Sequence, residues 1–334
     1  MAKRPNKATI ELIQRTGSTD PQVALAAQTE FAKALELPLR KGVLTGDILG
    51  NIFETVPVGP HGNTVEYPVD LLAPGTEGEH RAYTNPGHGY IPQRSVESDF
   101  VTIPTFGISA SIDWLLRYAR DAQWNVVQRA MQVMEQGFTQ NVNDNGWHTI
   151  LAAAVDRNIL VYDGDATAGQ FTKRLISLMQ TVMRRNAGGN TGSVGRGRLT
   201  TLYVSPEALE DIRNWGLDQI DDVTRREIYN APENGAPITR IFGVDLVDLD
   251  ELGVSQVYQT YFTDALGGAL QASDTELVVG IDSSANDSFI MPVKSTLEIF
   301  PDPALHRHQR EGYYGWAEMG FAALDNRRVI LGSF

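Results

Sequence analysis

Three groups of residues in this sequence have the types that do chemistry. His306 and His308 lie close behind Asp302, and two imidazoles with a carboxylate make a ligand set that zinc accepts. Residues two apart in an extended segment point the same way, but no third ligand at helical spacing joins the pair. His61, His80 and His88 form a second group, in a stretch so rich in Pro, Gly and Tyr that each His reads more simply as a mixed polar and aromatic contact. The third group is glycine-rich, NAGGNTGSVGRGR, with Gly188 to Gly197 resembling a phosphate cradle. Its order is wrong for that task. A phosphate loop leaves a strand and enters a helix, so that helix N–H groups face the anion. Here a helical pattern precedes, an extended one follows, and no Lys-Ser/Thr closes the loop.

Other catalytic signals are missing. There is no G-x-S-x-G elbow and no H-E-x-x-H. The pairs Asp221/Asp222 and Asp248/Asp250 sit in turn-like acidic stretches and read as solvated surface. His148 reads as a packing or capping residue. With no cysteine, disulfides, thiolate metal sites and Cys nucleophiles are excluded. The expectation is a non-enzyme without cofactor or metal.

The elements that would position these residues are organised around Ser111 to Val155. Trp124, Val127, Met131, Met134 and Phe138 recur at three- and four-residue steps, one side of a helix. Val126, Ala130, Val133 and Gly137 widen that stripe. Ser111 is the expected N-cap, with Asp113 in the first turn. No proline occurs between Pro104 and Pro206, so the helix can run for roughly 60 Å at about 1.5 Å per residue. Asn-rich Gln140 to Gly146 is the expected kink or break.

Residues 1–20 are polar, mildly basic and broken by Pro5 and Gly17, and are not expected to fold alone. Pro21 to Leu37 reads as a short helix capped by Asp20, with Leu25, Phe31 and Leu35 on one face. Between Thr55 and Glu97 helical periodicity vanishes into turn signals, with short extended pieces at 64–69 and 90–93. A connection this long is usually functional or disordered. Its aromatics argue for a projecting two-stranded arm that packs on something else. Asp99 to Ile112 alternates as a half-buried strand. Beyond Asp156 come a strand at 157–162 and a helix at 168–185. A strand at 199–204 follows, then a helix opened by Ser205-Pro206, with Ser as N-cap and Pro at the first position. Strands are expected at 258–263, 276–281 and 294–300, and the aromatic C-terminus reads as a packed final strand.

The chain has 334 residues, 42% hydrophobic and 21% charged, ordinary values for a soluble globular protein. A net charge of −13 argues against a general nucleic-acid binder, which gathers Lys and Arg to displace counterions from phosphates. Neither a signal peptide nor a membrane span is legible.

Several passages carry a family resemblance. LTTLYVSPEALEDIRNW (199–215), DDVTRREIYNAP (221–232), IFGVDLVDLDELG (241–253) and GYYGWAEMGFAALDNRRVILGSF (312–334) resemble the corresponding segments of the major capsid proteins of tailed bacteriophages. The order of elements is also similar to that family's. The resemblance implies an α+β fold with an N-terminal arm (1–54), an extended loop (55–97) and a peripheral domain carrying a long spine helix (98–156). An axial domain (157–289) and a return to the peripheral domain (290–334) complete it. It implies hexamers and pentamers of this chain in an icosahedral head around double-stranded DNA, and so a virion protein assembled in a host cytoplasm. A portal and separate scaffolding and decoration proteins are the other partners, with packaged DNA only weakly contacted and no membrane.

Contacts between copies are expected at Tyr67, Arg81, Tyr83, Tyr90 and Arg94 on the loop and at Phe31 on the N-terminal helix. Some members lock subunits by a Lys–Asn isopeptide bond with the lysine on the loop. No lysine occurs between Lys41 and Lys173, so that chemistry does not carry over. The chain has no room for a fused scaffolding region either, which leaves noncovalent contacts to hold the shell. The basic start (Lys3, Arg4, Lys7, Arg15) would touch DNA, a scaffold or a neighbour's acidic surface. Two competing readings remain: an encapsulin-type compartment of the same fold, and a soluble metal-dependent hydrolase using His306, His308 and Asp302.

Overall fold

The computed structural model describes residues 7–45, 49–58, 65–69, 99–121, 124–186, 197–215, 240–272, 274–284 and 288–334. In chain order these form α1 (Lys7–Thr16), α2 (Pro21–Thr45), β1 (Glu54–Pro57), β2 (Val65–Val69), β3 (Asp99–Ile103), β4 (Phe106–Leu115), α3 (Leu116–Arg120) and α4 (Trp124–Asp156). After them come β5 (Leu160–Tyr162), α5 (Lys173–Asn186), β6 (Thr201–Val204), α6 (Pro206–Asn214), β7 (Arg240–Ile241), β8 (Val244–Asp248) and α7 (Val257–Thr260). The chain closes with β9 (Leu277–Ile281), β10 (Phe289–Pro301), β11 (Arg310–Met319), β12 (Ala322–Ala323) and β13 (Val329–Ser333). The fold is α+β, with two compact units.

One unit comprises Met1–Val65, Thr102–Gly146 and Met291–Phe321. Its sheet has the order β1-β10-β11-β4, with β11 antiparallel to β4 from Arg310↔Leu115 to Met319↔Phe106. The expected strand is divided into β3 and β4, and the alternation holds in β4 except at exposed Phe106: Ile108 and Trp114 are buried while Gly107, Ser109, Ser111 and Asp113 are exposed. Leu297, Ile299, Tyr313 and Ala317 complete the inner face, and Ile13, Phe31, Leu35, Leu39, Val127, Met134, Phe138 and Val142 of the helices cover it.

Several expectations for this unit are corrected. Ser111 caps no helix, because the strand runs on to Leu115 in register with β11, and the long helix starts at Trp124 after the short α3. Trp114, spaced evenly with Ile108, spends its side chain on the sheet core. The apolar stripe of α4 is also narrower than expected, since Val133 is exposed. Residues 7–16, not expected to fold alone, form α1 with Ile13 buried in the same core. Its ordering comes from tertiary packing, which composition does not report. Asp20 does cap α2, taking the Gln22 N–H at 3.0 Å, but α2 continues through Pro38 to Thr45. Ala24 and Ala27 fill the buried face where Leu25 was expected, and Leu25 is exposed.

The expected break near Gly146 does not occur, and α4 is continuous over its 33 residues. Gly146 is there for space: a Cβ at that position would overlap Leu49 Cδ1.

The second unit comprises Glu66–Val101, Trp147–Ile290 and Ala322–Phe334. Its six-stranded sheet has the order β5-β13-β9-β6-β8-β7, with β6 and β8 parallel and β9 antiparallel to both β6 and β13. Leu175, Ile176, Met179 and Met183 of α5 and Ala208 and Ile212 of α6 share a core with Leu202, Leu246, Val278 and Ile330. Ser205 caps α6 as the sequence predicts, its hydroxyl accepting the Ala208 N–H at 3.2 Å with Pro206 in the first turn. The C-terminus is packed, with β13 fully buried and Phe334 6% exposed. The predicted strand at 258–263 is instead α7 running into a π-helical turn at Tyr261–Ala265. There Tyr258 stacks on Trp147 at 5.8 Å between centroids and Tyr261 on His148 at 3.8 Å, so ring packing overrides the strand propensity of β-branched and aromatic residues.

Candidate assembly surface

The constellations that could have been catalytic disperse. Asp302 starts a 3₁₀ turn and accepts the Ala304 N–H at 3.0 Å, while His306 Nε2 lies 3.2 Å from the Ser18 carbonyl. Neither group is turned toward a shared ion, and among the described residues no three His, Asp or Glu side chains are grouped to hold a metal. Of the glycine loop only Gly197 is described. Its N–H donates to Asp282 Oδ2 at 2.9 Å, and Arg198 N–H to the same oxygen at 3.3 Å. The end of that loop is therefore held by a carboxylate, the opposite of a phosphate cradle. His148 packs, as its stacking on Tyr261 shows.

Of the expected contact residues, Arg81, Tyr83, Tyr90 and Arg94 lie outside the described residues, as do His61, His80 and His88. Tyr67 falls on β2, which pairs with β3 in a two-stranded sheet. Phe31 lies inside its own chain, 3% exposed, with its ring 5.6 Å from Tyr313 in an edge-on contact.

The sequence reading missed an exposed aromatic face. In β11, Tyr313 points into the core while Tyr314 and Trp316 point out, because neighbours in a strand alternate sides. Tyr314 pairs with Phe300 of β10. The three outward rings form one cluster, with centroids 5.7 Å (Phe300–Tyr314), 5.2 Å (Phe300–Trp316) and 5.9 Å (Tyr314–Trp316) apart. Trp316 remains 47% exposed. Polar residues border the cluster: Ser109 and Ser111 stand opposite Trp316 and Tyr314, Glu298 stands on the other side, and Asp113 is ion-paired with Arg310. An aromatic centre with a polar rim is the composition of a protein–protein contact. The signal was present in GYYGWAEM, where aromatics occupy both parities of one strand.

Beneath this sheet lies a buried carboxyl. Glu311 is 1% exposed, accepts a hydrogen bond from Tyr313 Oη at 2.7 Å and lies 3.1 Å from Thr16 Oγ1. Burial pushes it above the usual carboxylate range, although hydrogen bonding by Tyr313, Thr16 and Trp114 pulls the other way. Burial and the neighbouring Glu311 push the Tyr313 phenol up in turn. At the rim, hydrogen bonds from Lys294 and Thr105 hold Glu318 below that range. In the second unit, Arg184, Arg185 and Arg198 line one cleft with Gln180, Phe242 and Gly243. Among the described residues no helix is long and apolar enough to cross a membrane.

This α+β arrangement is the phage capsid fold. The chain is similar to the Cyanophage Pam1 capsid asymmetric unit, with 12% identity, TM-score 0.54, and coverage of 88% of this chain and 92% of that one. It is similar to the capsid of Myoviridae Phage XM1 (12% identity, TM-score 0.52, 86% and 90% covered) and to Microbacterium phage Oxtober96 (10% identity, TM-score 0.54, 86% and 90% covered). No family model matches the sequence, and no curated protein does.

Proposed function

We propose that this chain is a shell-forming structural protein, the major capsid protein of a tailed bacteriophage, without catalysis. The observation that carries the reading is the capsid fold matched along nearly the whole of both chains. An exposed aromatic face on a chain of net charge −13 supports self-association over nucleic-acid binding.

In this reading copies assemble into hexamers and pentamers of an icosahedral head that encloses double-stranded DNA, in a host cytoplasm. Residues 1–54 are the N-terminal arm and 55–97 the extended loop. Residues 98–156 with 290–334 are the peripheral domain, and 157–289 the axial domain. Tyr67, Arg81, Tyr83, Tyr90 and Arg94 make contacts between copies, and the aromatic face receives a neighbour. Portal, scaffolding and decoration proteins are the other partners. Each interface is modest at about 25 cal/mol per Å² of apolar area, less the cost of association, and many such interfaces hold the shell.

Sedimentation velocity and negative-stain microscopy of the purified chain test this. Hexamers, pentamers or closed particles are expected, and deletion of 59–92 leaves a folded monomer. A wild-type chain that stays monomeric at every concentration and salt overturns the reading, and normal assembly of the deletion removes the role given to the loop.

A further inference from the structure

β7 and β8 form a hairpin whose turn is Phe242-Gly243, with Ile241 paired to Val244. Both turn residues have positive φ, 52° and 78°, the pattern of a type I′ turn. That turn favours Asn-Gly; a bulky aromatic at positive φ is an outlier. Phe242 is also 60% exposed, so its ring gains little packing to offset the strain. Its carbonyl accepts Gln180 Nε2 at 3.1 Å, which fixes the turn against α5. Around it stand Arg184 and Arg185, from the last turn of α5, and Arg198. All three are exposed, and none forms an ion pair among the described residues. Arg240, by contrast, is neutralised by Asp245 at 3.2 Å.

The opposite end of β8, roughly 17 Å away at about 3.4 Å per residue, has the reverse character. Asp248, Asp250 and Glu251 leave the strand there, and the turn after them is drawn together by Leu252 N–H to Leu249 O at 3.0 Å and Tyr258 N–H to Glu251 O at 3.1 Å. Val254 and Val257, 46% and 60% exposed, follow the acidic residues in this turn. None of the three acids is ion-paired among the described residues.

One end of the strand is thus basic with an exposed aromatic, and the other acidic with exposed aliphatics. We infer that the Phe242 turn with Arg184, Arg185 and Arg198 docks on the Asp248–Val257 turn of a second copy, head to tail. A contact between two different patches of identical chains is heterologous and closes into a ring when its rotation permits. The inference rests on the shell reading and assigns the surfaces that join copies within one ring. Opposite charges set the register and make the contact weaken with salt, while Phe242 supplies a desolvated anchor.

The test is sedimentation velocity of the full chain across protein concentration and salt, with circular dichroism to verify folding. Phe242→Asn should melt no lower than wild type, since Asn suits the turn, yet associate at least about tenfold more weakly, as loss of an anchor does. Arg184→Glu with Arg185→Glu should abolish rings, and adding Asp250→Arg with Glu251→Arg to the same chain should restore them. Wild-type rings indifferent to Phe242→Asn, or a charge-swapped chain that fails to recover, overturn this contact and leave the shell reading standing. A wild-type chain that never associates overturns the shell reading itself.

Discussion

Glu311 and Tyr313 sit two residues apart on one face of β11, and the Tyr313 hydroxyl donates to the Glu311 carboxylate at 2.7 Å in a core where neither side chain meets water. Thr16 Oγ1 lies within hydrogen-bond reach of Glu311 at 3.1 Å and of the Ile13 carbonyl at 2.7 Å, but its hydroxyl carries only one proton. Burial favours the protonated Glu311, which can donate to Thr16 while Thr16 donates to Ile13; Tyr313, Thr16 and Trp114 favour the ionised form.

It follows that Glu311→Gln should raise the melting temperature at pH 7, because Gln Nε2 donates where the protonated acid would. The wild type should show the linked pH dependence. Burial raises the folded pKa of Glu311 above its ordinary value of 4.5, so between those two values the folded state binds more protons than the unfolded one. Stability then falls as pH rises through that window and is level above it. Thermal melts from pH 4 to 8 check both statements, and a wild-type curve parallel to that of Glu311→Gln would contradict them.

Trp316→Thr should leave the fold nearly intact. Threonine keeps strand propensity, and the lost ring contacts with Phe300 and Tyr314 are worth about 1 kcal/mol. Association should fall much further, since an exposed Trp at the centre of an aromatic patch is a typical anchor. Melting curves and sedimentation of the same samples separate the two effects.

What the sequence made legible was local chemistry. Ser205-Pro206 announced a capped helix because cap and first-turn proline are set by neighbouring backbone. The two-residue alternation announced the strand that buries Ile108, because a strand repeats every two residues, although Trp114 of the same face falls within the expected helix. Illegible features depended on distant residues. Nothing near Gly146 says that Leu49 needs the space, so a glycine that admits a neighbour reads as a helix breaker. Tyr258 and Tyr261 read as strand because their stacking partners, Trp147 and His148, lie more than a hundred residues earlier. Composition hid α1 for the same reason. The aromatic face escaped because Tyr313 and Tyr314 look alike in sequence and differ only in the side of the sheet they occupy.

In the second unit Asp282 is a buried hub. It takes the N–H groups of Gly197, Arg198 and Ser284 and faces Arg328 Nη1 at 3.7 Å, with both side chains almost fully buried. Asp282→Ala should cost about 3–5 kcal/mol, because it removes the acceptor of three backbone N–H groups and a charge facing a buried guanidinium. Arg328→Met added to Asp282→Ala should recover part of that loss, and a double mutant as unstable as the sum of the singles would show that the two charges do not interact. Urea unfolding of the four chains closes the cycle.

Gly146→Ala gives the sharpest contrast between local and tertiary control. In an isolated helix the change stabilises by about 1 kcal/mol, because alanine is the best helix former and glycine among the poorest. Here the new methyl group would overlap Leu49 Cδ1, and Leu49 is 1% exposed in a packed core. Overpacking of this kind costs about 1–3 kcal/mol, so the net change should be destabilising. Leu49→Val in the Gly146→Ala background withdraws the crowding atoms and should restore stability, while the same Leu49→Val in wild type only opens a void and lowers it. Denaturant midpoints for these variants read the sign directly, and Gly146→Ala proving more stable than wild type would mean that helix propensity, not contact with Leu49, governs this turn of α4.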